Sequence, residues 1–250
     1  MKETIVFVHG MFMNGASWGP WVEWFGERGH ECVAPSWPGH SGDVAALRAT
    51  PDPALAKLRL ADVVASFRAV IEGLPAPPIL VGHSMGGLVV QLLLNAGLGS
   101  RGVLIAPAPP KGVRSFAWSH LRSNSALLWP GRSPIVPTWD WFRYAFVNVQ
   151  PEPEARALFE QWCVCESRLV GKGPLGDEAA IDFAKTTAPL HFIAGGADHI
   201  IPSALVRDAC ARYQAAGKTP TFEELPGHSH ALCIEARWRE IAEATARAIA

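Results

Sequence analysis

Val81-Gly82-His83-Ser84-Met85-Gly86-Gly87 is the stretch whose reading decides the fold of this 250-residue chain. Pro77-Pro78-Ile79-Leu80 leads into it and Leu88-Val89-Val90-Gln91-Leu92 follows. An apolar run, a Gly-x-Ser-x-Gly and a second, longer apolar run predict strand, tight turn and helix, with Ser84 at the apex in the geometry of a nucleophile elbow. To present its hydroxyl above a sheet the chain must reverse within a residue or two. That reversal strains the serine backbone, at a cost of roughly 1–3 kcal/mol that the surroundings must hold in place. Gly82 and Gly86 lack the side chains that would keep strand and helix apart. A helix starting at Ser84 also aims free N–H groups and the positive end of its dipole at the reacting centre.

Outward from this stretch, strand and helix alternate. Ile5 to Val8 is a continuous apolar run of the kind expected for a strand buried on both faces of a parallel sheet. It ends at His9-Gly10, and Trp18, Trp21, Val22 and Phe25 then recur at helical spacing, with Ser17 placed to cap the helix. These tryptophans read as core. Cys32 to Pro35 is a predicted strand leaving through Ser36-Trp37-Pro38-Gly39-His40-Ser41-Gly42. Leu60, Val63, Val64, Phe67, Val70, Ile71 and Leu74 form an amphipathic stripe closed by Gly73 and Pro75. Gly102 to Ala106 and Leu190 to Ala194 are short buried strands. Thr221 to Leu225 is the last one, and the helix between them starts near Ser203 and carries Val206, Ala209, Cys210 and Tyr213. A final helix shows Ile234, Trp238, Ile241, Thr245 and Ile249 on one face. Repeated βα units predict an α/β fold, a mostly parallel sheet flanked by helices.

Composition changes after Ala106. Pro107-Ala108-Pro109-Pro110-Lys111-Gly112 reads as a linker, and five of the chain's ten tryptophans fall between it and Thr187. A helix is expected over 154–169, with Leu158, Phe159, Trp162 and Leu169 on one side. The expected organisation is a core of residues 1–108 and 187–250, interrupted by an inserted helical cap, or lid, over 109–186. Such a lid suits an apolar pocket.

The balance of 22 Lys and Arg against 23 Asp and Glu leaves a formal charge of −1, with no basic block. Neither a nucleic acid nor an anionic membrane is the expected partner; a small, weakly charged molecule is. Cys32, Cys163, Cys165, Cys210 and Cys233 are odd in number and scattered, which predicts reduced thiols rather than a disulfide framework. The N-terminus enters a strand directly, without a signal-peptide pattern, so a cytoplasmic location is expected.

A serine hydroxyl becomes a nucleophile only when an oriented base takes its proton. Ser84, Asp198 and the histidines His228 and His230 each follow a predicted strand directly, so a parallel sheet gathers them at its carboxyl edge.

The motifs in register resemble the α/β-hydrolase superfamily, in particular its small bacterial serine hydrolases. They are His9-Gly10, Pro38-Gly39-His40-Ser41-Gly42, the Gly82 to Gly86 elbow, Gly195-Gly196-Ala197-Asp198 with Ile201-Pro202, and Pro226-Gly227-His228-Ser229-His230. The resemblance implies Ser84 as nucleophile, Asp198 as orienting acid, His230 as base with His228 as the alternative, and an oxyanion hole from the Met11 and Met85 N–H groups. His9 and His83 are then neighbours of the site outside the triad. No cofactor and no metal is implied; a metal at His228-x-His230 lacks further ligands at suitable spacing.

The expected activity is a carboxylesterase cleaving small to medium apolar esters. The same triad also serves lactone opening, carbon–carbon hydrolysis, perhydrolysis or cyanohydrin cleavage, because the fold hosts all of them. A non-catalytic ligand receptor is the reading from another class. An aspartate nucleophile, as in haloalkane dehalogenases and epoxide hydrolases, does not fit Ser84. Arg114, Arg122, Arg132 and Arg143 are the cap's candidate carboxylate anchors, with solvated surface as the competing reading. Oligomeric state cannot be read from the sequence.

Overall fold

A computed structural model describes residues 2–250. Six strands, β1 (Ile5–Val8), β2 (Cys32–Val33), β3 (Ile79–His83), β4 (Arg101–Ile105), β5 (Leu190–Gly195) and β6 (Thr221–Leu225), form one sheet in the order β2-β1-β3-β4-β5-β6. Every neighbouring pair is parallel. Side chains alternate between two cores, as a pleat of period two requires. Val6, Val8, Leu80, Leu104, Phe192 and Ala194 face one. Ile5, Phe7, Ile79, Val81, Val103, Ile105 and Ile193 face the other.

Ten α-helices cover and extend the sheet: α1 (Gly19–Gly26), α2 (Val44–Ala49), α3 (Leu60–Glu72), α4 (Met85–Asn95), α5 (Trp118–Ser123), α6 (Trp139–Ala145), α7 (Glu152–Trp162), α8 (Arg168–Lys172), α9 (Ser203–Ala215) and α10 (Trp238–Ile249). The α3 stripe Leu60, Val63, Phe67 and Ile71 is buried, as is the α9 face Leu205, Val206, Ala209, Cys210 and Tyr213. Trp21 and Phe25 of α1 join Ile241 and Ile249 of α10 on the opposite face. α4 is apolar all round because it is enclosed all round. The outer strand β6 carries Glu223 paired with Arg247 and Glu224 paired with Arg207, charges that discourage further strand pairing. Among the described residues no helix is long and apolar enough to cross a membrane, and all five cysteines are free.

Several local expectations are corrected. Ser17 does not cap a helix: the Asn14 side chain accepts from Ala16 N–H and caps a 3-10 turn over Gly15–Trp18, while Ser17 Oγ donates to the Asn14 carbonyl. α1 starts only at Gly19, with Pro20 in its first turn. β2 stops at Val33, before Pro35, which has no N–H to give a ladder. Ile234 lies ahead of α10 rather than on it.

The largest correction concerns 154–169. α7 ends at Trp162, the chain runs extended through Cys163, and Ser167 then caps the separate α8 by accepting from Leu169 and Val170 N–H. Two tertiary pulls defeat the continuous helix. Val164 N–H bonds to the Phe12 carbonyl, and Glu166 pairs with Ile135 in an isolated antiparallel bridge.

Between β4 and β5 the chain leaves the sheet and carries α5 to α8. Its inner rings pack together: Phe142 stacks on Phe146 at 5.1 Å, and Trp139 meets Phe159 edge-on at 5.9 Å. Trp139, Trp141 and Trp162 are partly buried against the core, whereas Phe116, Trp118 and Trp129 are exposed.

Candidate active site

The parallel topology places the ends of β1, β3, β5 and β6 along one edge, and the loops leaving them carry the residues singled out by sequence. At Ser84 φ is +54° and ψ −122°, outside the regions comfortable for a side-chain-bearing residue. The turn is held from both sides. Ser84 N–H donates to the Ile105 carbonyl at 2.9 Å, and the Ser84 carbonyl accepts from Gly87 at 2.9 Å and from Ala108 at 2.8 Å. The backbones around it leave no room for side chains. A Cβ on Gly86 would lie 2.7 Å from the Val8 carbonyl carbon, and one on Gly10 would lie 2.8 Å from Ser84 Cβ.

His230 Nε2 is 2.9 Å from Ser84 Oγ, and His230 Nδ1 is 2.6 Å from Asp198 Oδ2. All three residues are buried. The second Asp198 oxygen accepts from Ile200 and Ile201 N–H at 2.7 and 2.8 Å, so one carboxylate orients the imidazole and ties down its own loop. The carboxylate on Nδ1 fixes the tautomer that leaves the Nε2 lone pair toward the serine. Phe146 packs edge-on against the His230 ring at 4.8 Å, and Ala231 N–H donates to the Phe146 carbonyl.

His228 is turned elsewhere. Its Nδ1 bonds Glu235 and its Nε2 meets Glu240 at 3.2 Å, so neither ring nitrogen is left for Ser84. Glu235 also receives Gln150 and Ser229. Among the described residues no group of three or more His, Cys, Asp or Glu side chains is arranged to hold a metal. Of the four arginines, Arg122 lies over the Tyr144 ring at 3.7 Å and Arg143 donates to the Val147 carbonyl. Arg114 and Arg132 are exposed.

Met11 and Met85 sit beside the serine with buried side chains, and among the described residues neither N–H is taken up by a backbone hydrogen bond. Phe12, the next residue, has φ +64°. Its ring packs on Trp141 at 4.6 Å, and Trp141 on Phe146 at 5.8 Å, so a run of packed aromatic rings leads to His230 through Phe146.

Two further histidines lie behind the site. His83 Nε2–H donates to the His230 carbonyl at 3.0 Å. His9 Nδ1–H donates to the Gly10 carbonyl, while its Nε2 accepts from Trp37 N–H at 3.0 Å. Burial, then the neighbouring His40, pushes the His9 pKa well below 6.5; burial, then His230, does the same to His83. Both therefore support the folded state fully above the ordinary histidine pKa and lose that support as pH falls below it. His40, whose pKa is raised, works in the opposite direction, but two lowered histidines stand against it, so the melting temperature should drop by a few degrees between pH 7 and pH 5.5 in calorimetry; a rising profile would contradict neutral buried rings.

Sequence reasoning did not single out Glu166 or Glu235, both fully buried and both on histidines. Glu166 had one local signal, a helix-capping serine directly after it. Its partners are remote in sequence.

A model described as the alpha/beta hydrolase family matches residues 5–244. No curated protein matches the chain. Among solved structures, an extracellular alpha/beta-hydrolase from a Paenibacillus species is similar with a TM-score of 0.73 at 20% identity, covering 99% of each chain. A pyrethroid hydrolase from Sphingobium faniae JZ-2 gives 0.68 at 18% identity, covering 99% of this chain and 97% of its own. Tomato methylketone synthase I gives 0.72 at 17%, with the same coverage. At these identities the likeness is one of fold.

Proposed function

This chain belongs to the alpha/beta hydrolase family, and from that premise we propose that it is a cofactor-free serine hydrolase, a carboxylesterase acting on small to medium apolar esters. The observation that carries the reading is the continuous hydrogen-bonded line from Asp198 Oδ2 through His230 to Ser84 Oγ, at 2.6 and 2.9 Å. Nucleophile, base and orienting acid require that connectivity. His230 takes the proton as Ser84 attacks the ester carbonyl, and the N–H groups of Met11 and Met85 hold the oxyanion. His230 then protonates the leaving alcohol, and a water repeats the sequence on the acyl-enzyme to release the acid.

We read residues 109–186 as a cap, with Trp141 and Phe146 supplying the apolar wall beside His230. None of the four arginines bonds at that wall, which favours an uncharged acyl group over a carboxylate-bearing one. A panel of p-nitrophenyl esters and lactones of graded length tests this. Esters of short to medium acyl chains should turn over with an initial burst of nitrophenol and outpace lactones. Equal or faster lactone turnover, or no burst and no turnover with any ester, would overturn the assignment.

A further inference from the structure

Glu166 is fully buried, belongs to the segment between β4 and β5, and has no step in the reaction above. Its Oε1 accepts from Ser167 N–H at 2.5 Å. Its Oε2 accepts from Phe12 N–H at 3.2 Å and lies 3.2 Å from His40 Nε2. Two residues earlier, Val164 N–H donates to the Phe12 carbonyl at 3.0 Å. The N–H and the C=O of Phe12 are thus both gripped by one short stretch, 164–166. Phe12 needs that grip, because a non-glycine residue at φ +64° persists only where its surroundings impose it. The N–H held by Glu166 belongs to the peptide joining Met11 to Phe12, one residue on from the Met11 N–H, and the C=O held by Val164 belongs to the peptide after it.

The counter-ion is built in. His40 Nδ1 meets the Pro38 carbonyl at 3.2 Å and Nε2 meets the Glu166 carboxylate, and both oxygens can only accept. Nδ1 donates to Pro38, and Nε2 stands in ion-pair range of the carboxylate although outside hydrogen-bond geometry, so each ring nitrogen faces an acceptor, the setting that favours an imidazolium. The other groups around it are the backbone of Cys165, the Trp37 ring and His9, whose proton is fixed on Nδ1 and which adds no charge. Burial, the largest single influence, works to lower the His40 pKa, but the Glu166 carboxylate together with the backbone of Pro38 and Cys165 outweighs it and the net shift is upward from 6.5.

We propose that Glu166, with His40 as its counter-ion, is a positioning residue that clamps the Met11–Phe12 peptide and so aims the Met11 N–H at the developing oxyanion. The proposal rests on the serine-hydrolase reading. It couples the cap to catalysis without contact with substrate: a movement of 164–166 moves the oxyanion donor.

The test is the ratio of kcat/KM for an oxoester to that for its thionoester. Sulfur is the poorer hydrogen-bond acceptor, so the ratio reports how well the oxyanion donors are aimed. Glu166→Gln replaces one carboxylate oxygen by an NH2, which then confronts either Phe12 N–H or Ser167 N–H. We expect kcat to fall roughly 10- to 100-fold, short of the roughly 10²–10³-fold for loss of a whole donor. KM should stay within about twofold, in keeping with a loss confined to the transition state, and the ratio should shrink along with kcat.

In wild type the ratio should fall as pH rises through the elevated His40 pKa, and His40→Gln should abolish that dependence. A purely structural Glu166 would lower the melting temperature and leave ratio and pH profile untouched, which would overturn the proposal. Should Glu166→Gln fail to fold, the wild-type pH series decides, a flat ratio overturning it. Ser84→Ala separates the two levels. Activity retained there removes the nucleophile and this role together, whereas a silent Ser84→Ala with an unchanged ratio in Glu166→Gln removes the role alone.

Discussion

Ser84→Ala is expected to lower kcat toward activated esters by on the order of 10⁴-fold or more, with His230→Ala close behind and the double variant scarcely worse than either. The non-additivity follows from the geometry. In the proposed mechanism every proton that His230 Nε2 moves serves formation or breakdown of the acyl-enzyme on Ser84 Oγ, 2.9 Å away, and without the hydroxyl no acyl-enzyme forms. His228→Ala is the informative contrast. Although two residues from His230, it is bonded on both nitrogens to Glu235 and Glu240. Its loss leaves the buried Glu235 short of a partner and should cost about 3 kcal/mol of stability, with the rate of the folded enzyme within tenfold of wild type. Near-full activity in His230→Ala, with collapse in His228→Ala, would reverse the assignment. Progress curves and melting curves on the three variants separate these outcomes.

Gly86→Ala should be the most damaging single methyl group in the chain. The added Cβ would lie against the carbonyls of Val8 and His9, 2.7 Å from the Val8 carbonyl carbon, and backbone on a central strand cannot rotate aside. Overpacking where nothing can yield costs about 3 kcal/mol or more, and relief is available only by moving the start of α4 away from β1. That shift carries Ser84 and Met85 N–H with it, so surviving folded protein should also be slow. Gly26→Ala is the control. It sits on an exposed turn of α1 with nothing within 4 Å of the new Cβ, and should be neutral or stabilising by up to about 1 kcal/mol. Equal melting temperatures for the two variants would show that the elbow is looser than its distances indicate.

The contrast between those glycines also marks how far sequence alone reaches. The elbow was legible because its chemistry is local: strand, turn and helix lie within about a dozen residues, and the demand for Gly82, whose Cβ would meet the Gly86 backbone, arises inside that span, whereas the space at Gly86 is taken by Val8 and His9 of the neighbouring strand end. The sheet was legible for a similar reason, since a buried parallel strand such as Ile5–Val8 is apolar on both faces. Asp198 and the pair His228 and His230 followed once strand ends were located, because a parallel sheet collects the loops at one edge.

What stayed hidden depends on partners far away in the chain. Residues 154–169 have helical periodicity, yet Val164 N–H is claimed by Phe12 and Glu166 by Ile135, and a local pattern carries no trace of either. Glu166 read as one more polar residue of a helix; only the fold brings it under Phe12 and His40. His228 and His230 were separable by resemblance alone until α10 supplied Glu240 and the turn before it supplied Glu235.

The central claim is that Ser84 is a nucleophile activated by His230. The most direct measurement is mass spectrometry of the protein after incubation with a fluorophosphonate probe, with tandem fragmentation to locate the adduct. One phosphonyl group on Ser84 is predicted in wild type, absent in Ser84→Ala and strongly slowed in His230→Ala. Failure of folded wild type to label at Ser84, or an adduct on another residue that persists in Ser84→Ala, would contradict the account.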